Sequence, residues 1–283
     1  MFVLIALINQ IDGVSFWPLC PYSFILNFMS VRLFFVVFFF CHCINLTGQT
    51  IINAEQLILD GDSVRWSLQA SYQGTSGNAN THEFSVDPGL MWVQRKYALK
   101  LFGSYHALFS GTQRVLNGGF LHARYARNIV NRGRAYLFYQ LQFNEVLLMN
   151  KRELIGGGYR VEILHRDSLS DAVAIGVMHE YEVLDRALLA ADEVYKTNYL
   201  RLSLMHSLNW LISANFSIDN VLYYQPYLMN FQDYRLLNDL RLSFRITAHL
   251  DLLLQAEFRF DRQPPTALKN YDLAIRSGLN LQW

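Results

Sequence analysis

The last thirteen residues, Tyr271 to Trp283, alternate with a period of two. One face reads Tyr271, Leu273, Ile275, Ser277, Leu279, Leu281, Trp283, and the other Asp272, Ala274, Arg276, Gly278, Asn280, Gln282. Only an extended strand sends every second side chain to the same side. The apolar face opens and closes on an aromatic ring, as in a strand crossing a bilayer between two interfacial girdles. A soluble sandwich or carbohydrate-binding module is the competing reading, since its strands alternate too. The same tail, through Tyr271, Leu279, Leu281 and Trp283, is expected to act as a C-terminal assembly signal for the barrel-assembly machinery.

Composition agrees with a strand-rich chain. Of 283 residues 14% are aromatic, a content suited to strands and girdles. The net charge of +1 creates no whole-protein field, so nucleic acid is not an expected partner. The three cysteines, Cys20, Cys41 and Cys43, all precede the repetitive part. Cys41-His42-Cys43 sits in an apolar stretch with ligands too close for a metal site, so neither metal nor cofactor is expected.

The N-terminus reads as processing. Residues 29–49 have the form of a signal peptide: a short basic start at Arg32, an apolar run Leu33 to Phe40, and small and polar residues at Thr47-Gly48-Gln49. Cleavage is expected near Gln49 or Thr50. Residues 1–28 read as an over-called start, with a longer leader or an N-terminal anchor as alternatives, and a lipid on Cys41 as another. Residues 50–62 would be an N-terminal periplasmic segment, and 63–283 the barrel.

From Thr50 onward no apolar run is long enough for a membrane-spanning helix. Alternation returns instead over 63–73, 82–94, 97–109, 116–128, 134–145, 152–164, 171–184, 195–206, 211–225, 234–245, 249–261 and 271–283. Two sets of connections result. The first comprises 74–81, 110–115, 146–151, 185–194, 226–233 and 262–270; the second, tighter on average, comprises 95–96, 129–133, 165–170, 207–210 and 246–248. Short turns at one end and longer loops at the other are the pattern of an outer-membrane barrel. The fold class expected is all-β, an antiparallel up-and-down transmembrane β-barrel of about 12 strands, with ten or fourteen still open.

Charges in mid-strand support a lumen. Arg124, Arg160, Glu180, Arg201, Asp219, Asp239, Arg241, Glu257, Arg259 and Arg276 all lie on polar faces. In a dry core each would cost several kcal/mol, whereas a wet lumen would hydrate them. Asp239, Arg241 and Arg245 are expected to face Glu257, Arg259 and Asp261 across one hairpin, with Arg276 completing a ladder of ion pairs.

Ser104, His106, His122 and Arg124 point to the same interior. A Ser104–His122 pair would suit nucleophilic catalysis, but only if the register brought the two together; a hydrated polar network is the other reading. Gly156-Gly157-Gly158 lacks the helix and Lys-Ser/Thr of a phosphate loop and reads as a thin or bent strand, or a place where another side chain packs across. The stretch 185–194 is acidic and helix-prone, and Pro264-Pro265 stiffens a loop.

The glycine strand Gly156-Gly157-Gly158-Tyr159-Arg160, the strand end Tyr223-Tyr224-Gln225-Pro226, and the tail from Asp261 through Pro264-Pro265 to Asp272 and the terminal aromatic resemble a known family. It is the bacterial outer-membrane family called domain of unknown function 481, some members of which are labelled salt-induced outer-membrane proteins. The resemblance implies an outer-membrane β-barrel in contact with outer-membrane lipid, and carries no catalytic residues. The expected role is structural, envelope-stress or narrow passive pore, with a barrel hydrolase acting on lipid or lipopolysaccharide as the alternative. Solute, partner and oligomeric state are not read from the sequence.

Overall fold

The computed structural model describes residues 63–78, 80–130 and 132–281. The segments read as leader, signal peptide and periplasmic extension, and the terminal Trp283, lie outside the described residues. Those described form twelve strands in one sheet: β1 (Ser63–Thr75), β2 (Thr81–Val93), β3 (Tyr97–Ser110), β4 (Gln113–Val130), β5 (Gly133–Asn144), β6 (Met149–Arg166), β7 (Leu169–Leu184), β8 (Lys196–Ser213), β9 (Phe216–Tyr227), β10 (Asn230–Thr247), β11 (Leu250–Asp261) and β12 (Tyr271–Leu281). Sheet order equals chain order from β1 to β12, so every strand pairs with its sequence neighbour in an up-and-down meander. No described helix is long and apolar enough to cross a membrane.

The sheet curls into the wall of an antiparallel up-and-down β-barrel. Neighbouring strands lie about 4.8 Å apart, so β7 and β10 would be well separated in a flat sheet. Yet Arg235 of β10 reaches Glu180 of β7 at 2.6 Å. Side chains can meet over two intervening strands only on a concave face. Among the described residues no ladder joins β1 to β12, which leaves a seam between the first and last strands.

Alternation sorts side chains as the sequence implies. Trp66, Leu137, Ile155, Ile175, Ile275 and Leu279 point outward and are 57–79% exposed. Their inward neighbours include Tyr136, Leu154, Ala174 and Met178, all buried. A wall greasy outside and buried or ionic inside is the inverse of a soluble sandwich. Apart from the outer edges of β1 and β12, its backbone is paired through its own ladders, as lipid demands.

Strand boundaries depart from the sequence reading in informative places. The stretch 207–210 continues β8 instead of turning, and the chain reverses at 214–215. Ser207-Leu208-Asn209-Trp210 pairs in register with β7, so turn-like composition yields to ladder bonds. The connection expected over 110–115 shrinks to Gly111-Thr112. Gly111 takes φ 61°, the left-handed backbone a tight hairpin needs. The connection expected over 226–233 likewise tightens to 228–229. The longest connections are therefore 185–195 and 262–270, both at the end opposite the turns 167–168 and 214–215.

The glycine run is a seat for aromatic rings. A Cβ on Gly156 would stand 2.8 Å from the Phe138 ring, and one on Gly158 2.7 Å from the Tyr136 hydroxyl. A Cβ on Gly176 of β7 would stand 2.9 Å from that same hydroxyl. Tyr136 and Phe138 thus lie flat across three inward-facing glycines. They head an apolar cluster inside the barrel with Ala126, Ala174, Met205, Val221, Tyr223 and Leu237.

Candidate functional site

Above that cluster, toward the long loops, inward positions of β6, β7, β8, β10 and β11 carry Arg152, Glu180, Glu182, Arg201, Asp233, Arg235 and Asp261. Strand alternation aims them at one another. Glu180 accepts from Arg152 Nε at 2.9 Å, from Arg201 Nε at 3.1 Å and from Arg235 Nη1 at 2.6 Å. Arg201 then forks onto both oxygens of Asp233, at 3.0 and 3.3 Å, and donates to the Gln225 carbonyl at 3.3 Å. Arg235 donates to Asp261 at 2.8 Å and to Glu182 at 3.4 Å.

The expectation that a wet lumen hydrates the mid-strand charges fails here. Arg152 and Glu180 are 0% exposed and Arg201 1%. Their compensation comes from each other: Glu180 is shared by three guanidiniums, and Asp233, Asp261 and Glu182 take further donors from Arg201 and Arg235. Such a network is unforgiving. Removing one member leaves a buried charge uncompensated.

The long loops roof this network. A cavity of about 270 Å³ has Glu182, Tyr199, Arg201 and Arg235 in its floor and Glu193, Pro264 and Pro265 in its roof. Loop 185–195 opens on a single 3-10 turn, Arg186–Leu188, N-capped by Asp185. Glu193 ties the two loops together: it accepts from the Thr266 amide at 2.6 Å and from the Ala190 amide at 2.9 Å. These backbone donors hold its carboxyl below the usual carboxylate range.

The residues singled out from sequence fall into three groups. Along β10 and β11 the register differs from the expected ladder: Asp239 lies opposite Glu257, Arg241 opposite Gln255, Arg245 opposite Asp251 and Arg235 opposite Asp261. Asp239 accepts from Gln255 at 2.8 Å, while Arg241 approaches Asp239 only to 3.9 Å. Arg245 lies 3.5 Å from Asp251. Glu257 is bracketed by Arg259 on its own strand and by Arg276 of β12 at 3.1 Å. Like charges directly opposite one another repel, and these lateral bonds offset that repulsion.

In the second group, Ser104 lies opposite Phe120 and His122 opposite Phe102 on one side and Gln140 on the other. The His122 Nδ1 bonds the Gln140 side chain at 2.9 Å, and its ring stacks on Phe138 with centroids 5.6 Å apart. The register does not put Ser104 against it. His106 bonds Glu83 at 2.8 Å, and the Arg124 guanidinium sits 4.1 Å over the Tyr136 ring. In the third group, Tyr271 and Leu279 of the tail face outward, 52% and 64% exposed. Leu281 closes β12, and Trp283 lies beyond the described residues.

Sequence reasoning placed Arg235 and Asp233 in no network. Their signal was the spacing Asp233-x-Arg235 on one strand and Glu180-x-Glu182 on another, each near a loop end. Which pairs meet depends on the curl of the sheet, which periodicity does not carry.

Among the described residues no cluster of His, Cys, Asp or Glu is arranged to hold a metal ion. No curated protein matches the chain. Solved structures that it resembles include the NanC porin, with 11% identity over 77% of this chain and 100% of that one and a TM-score of 0.46. The KdgM porin gives 11% identity over 78% and 99%, with a TM-score of 0.39. The CymD monoaromatic hydrocarbon channel gives 8% identity over 79% and 80%, with a TM-score of 0.38. The family whose model matches residues 68–283 is described as protein of unknown function, DUF481, and the chain belongs to it.

Proposed function

We propose that this protein is a non-enzymatic barrel of the bacterial outer membrane, with a narrow passive path through a lumen largely filled by side chains. The observation that carries this reading is the burial of inward side chains from the core cluster up to the ionic network: Arg152, Glu180 and Leu237 are 0% exposed and Met178 1%. A twelve-stranded wall lies between eight-stranded barrels, whose interiors side chains fill, and the 16–18-stranded walls that leave an aqueous channel. The outward apolar belt supports a lipid environment, and an envelope role follows from that placement. The hydrolase alternative draws no support from the register, which sets Ser104 opposite Phe120 and ties the Nδ1 of His122 to Gln140.

Planar-bilayer recording tests the reading. Conductance steps far smaller than those of an open porin are expected, growing when Glu180 and Arg235 are both replaced by alanine. Porin-sized steps from the unaltered protein would overturn it, as would silence from both forms. Ester or amide hydrolysis lost in Ser104→Ala would restore the hydrolase alternative.

A further inference from the structure

Charge is unevenly spread around the barrel. Residues 88–144 contain eight lysines and arginines and no aspartate or glutamate. This stretch spans the end of β2 and all of β3, β4 and β5, so three consecutive strands carry no carboxylate on either face. The acidic residues of the lumen sit elsewhere, on β7, β9, β10 and β11 among others.

Register concentrates part of this charge on the inner wall. Lys100 of β3 lies directly opposite Arg124 of β4. Arg134 of β5 lies directly opposite Arg160 of β6. Both pairs share the face of Tyr136, Phe138 and Gln140, which is the lumenal one. Residues directly opposite in an antiparallel pair have Cα atoms about 4.5–5.5 Å apart, and like charges so placed destabilise the sheet. Two such pairs lie on adjacent hairpins. The wall between them is aromatic: Phe102 and Phe120 meet edge to face with centroids 5.9 Å apart, and Arg124 stacks on Tyr136. Arg134 is held toward the tight-turn end by Asn128, whose side-chain oxygen accepts from it at 2.8 Å. The flanking strands bring inward carboxylates at three places: Glu83 on β2, bonded to His106 at 2.8 Å, Asp87 on β2, and Glu162 on β6, which accepts from Ser170 at 2.8 Å and attracts Arg160 two residues away.

We infer that the inner wall of β3–β6, with Lys100 opposite Arg124 and Arg134 opposite Arg160, is an anion-binding strip that makes the lumenal path selective for small anions bearing carboxylate or phosphate groups. This rests on the passive-path reading and names the class of solute that path takes. The aromatic rings between the cations offer flat apolar contact to the carbon skeleton of such a solute. Guanidiniums fork onto planar carboxylates or phosphate oxygens, which favours them over chloride as ligands.

Two measurements on the folded, reconstituted mature chain test the strip separately from the path. In planar bilayers under a potassium chloride gradient, the reversal potential is expected near the chloride equilibrium potential. In detergent, calorimetric titration with citrate is expected to show binding about tenfold weaker in Lys100→Gln/Arg124→Gln. Arg262→Gln, which removes one cation from an outer loop, should bind citrate as the unaltered protein does. Heat-modifiable gel migration establishes that each variant folds. Conductance that follows potassium, or citrate binding equal in the double variant and the unaltered protein, would overturn the strip while leaving the path intact. Citrate binding lost in the double variant, without conductance steps, would leave the strip standing and remove the path. No citrate binding to the unaltered protein overturns the strip outright.

Discussion

Glu180 of β7 and Arg235 of β10 are joined at 2.6 Å inside the barrel, with two strands between them in the sheet. This contact makes the network a clasp across the wall. Replacing Glu180 by alanine strips Arg152, Arg201 and Arg235 of their shared partner. The expected loss is about 3–5 kcal/mol, read from urea unfolding in detergent micelles. Replacing Glu180 and Arg235 together should cost less than the two single losses added, because the pair is coupled. Additive losses would show that the clasp contributes nothing.

The glycine seat yields a second prediction. Gly158→Ala would push a methyl to 2.7 Å from both the Tyr136 hydroxyl and the Gly176 Cα. Overpacking of this kind costs about 1–3 kcal/mol. Gly278→Ala meets nothing within 4 Å and should be neutral or slightly stabilising. Thermal melts of the two variants side by side check the contrast; equal melting temperatures would contradict it.

Glu193 sets the pH response of the roof. Its folded pKa is depressed by the Thr266 and Ala190 amides. The sign follows from linkage: the tie is fully present above the ordinary carboxylate pKa and is lost as pH falls through the lowered folded value. Spin labels on cysteines placed at Asp192 and Lys269 should report a short, narrow distance at neutral pH and a broader one in acid. Glu193→Ala should show the broad distribution at neutral pH. A distance indifferent to both would mean the loops are held by something else.

How much of this was legible in the sequence follows from what alternation encodes. Period two places a residue on one face, so Trp66 and Ile275 outside and Arg124 and Glu257 inside could be read directly. It does not encode which inward residues meet. In the β10–β11 hairpin the residue directly opposite Asp239 turned out to be Glu257, and Asp239 accepts from Gln255 at 2.8 Å, because register depends on the turn at 248–249. Nor does it encode curl, which brings Arg235 to Glu180. Boundaries failed where polar residues sit inside a strand, as in Ser207 to Asn209, and where one glycine closes a hairpin, as at Gly111. The glycine run was recognisable as a place for something to pack; only the register of β5 on β6 names Tyr136 and Phe138.

A charge on the outer face gives a fourth prediction. Ile275, midway along β12 and 60% exposed, faces the solvent of the barrel, which is lipid in this reading. Ile275→Arg should cost about 2–4 kcal/mol in folding into phospholipid vesicles. Arg276, its neighbour on the same strand, already lies inside at 3.1 Å from Glu257. A wild-type folding free energy for Ile275→Arg would place that face in water.

The central claim, that the greasy face meets lipid, is tested most directly by fluorescence quenching with brominated phospholipids. Trp66, Trp92 and Trp210 all point outward, 79%, 41% and 43% exposed. In vesicles, each as the sole tryptophan of the chain should be strongly quenched by bromine on the acyl chains and weakly by aqueous iodide. Fluorescence indifferent to the brominated lipid and quenched by iodide would contradict a membrane-spanning wall.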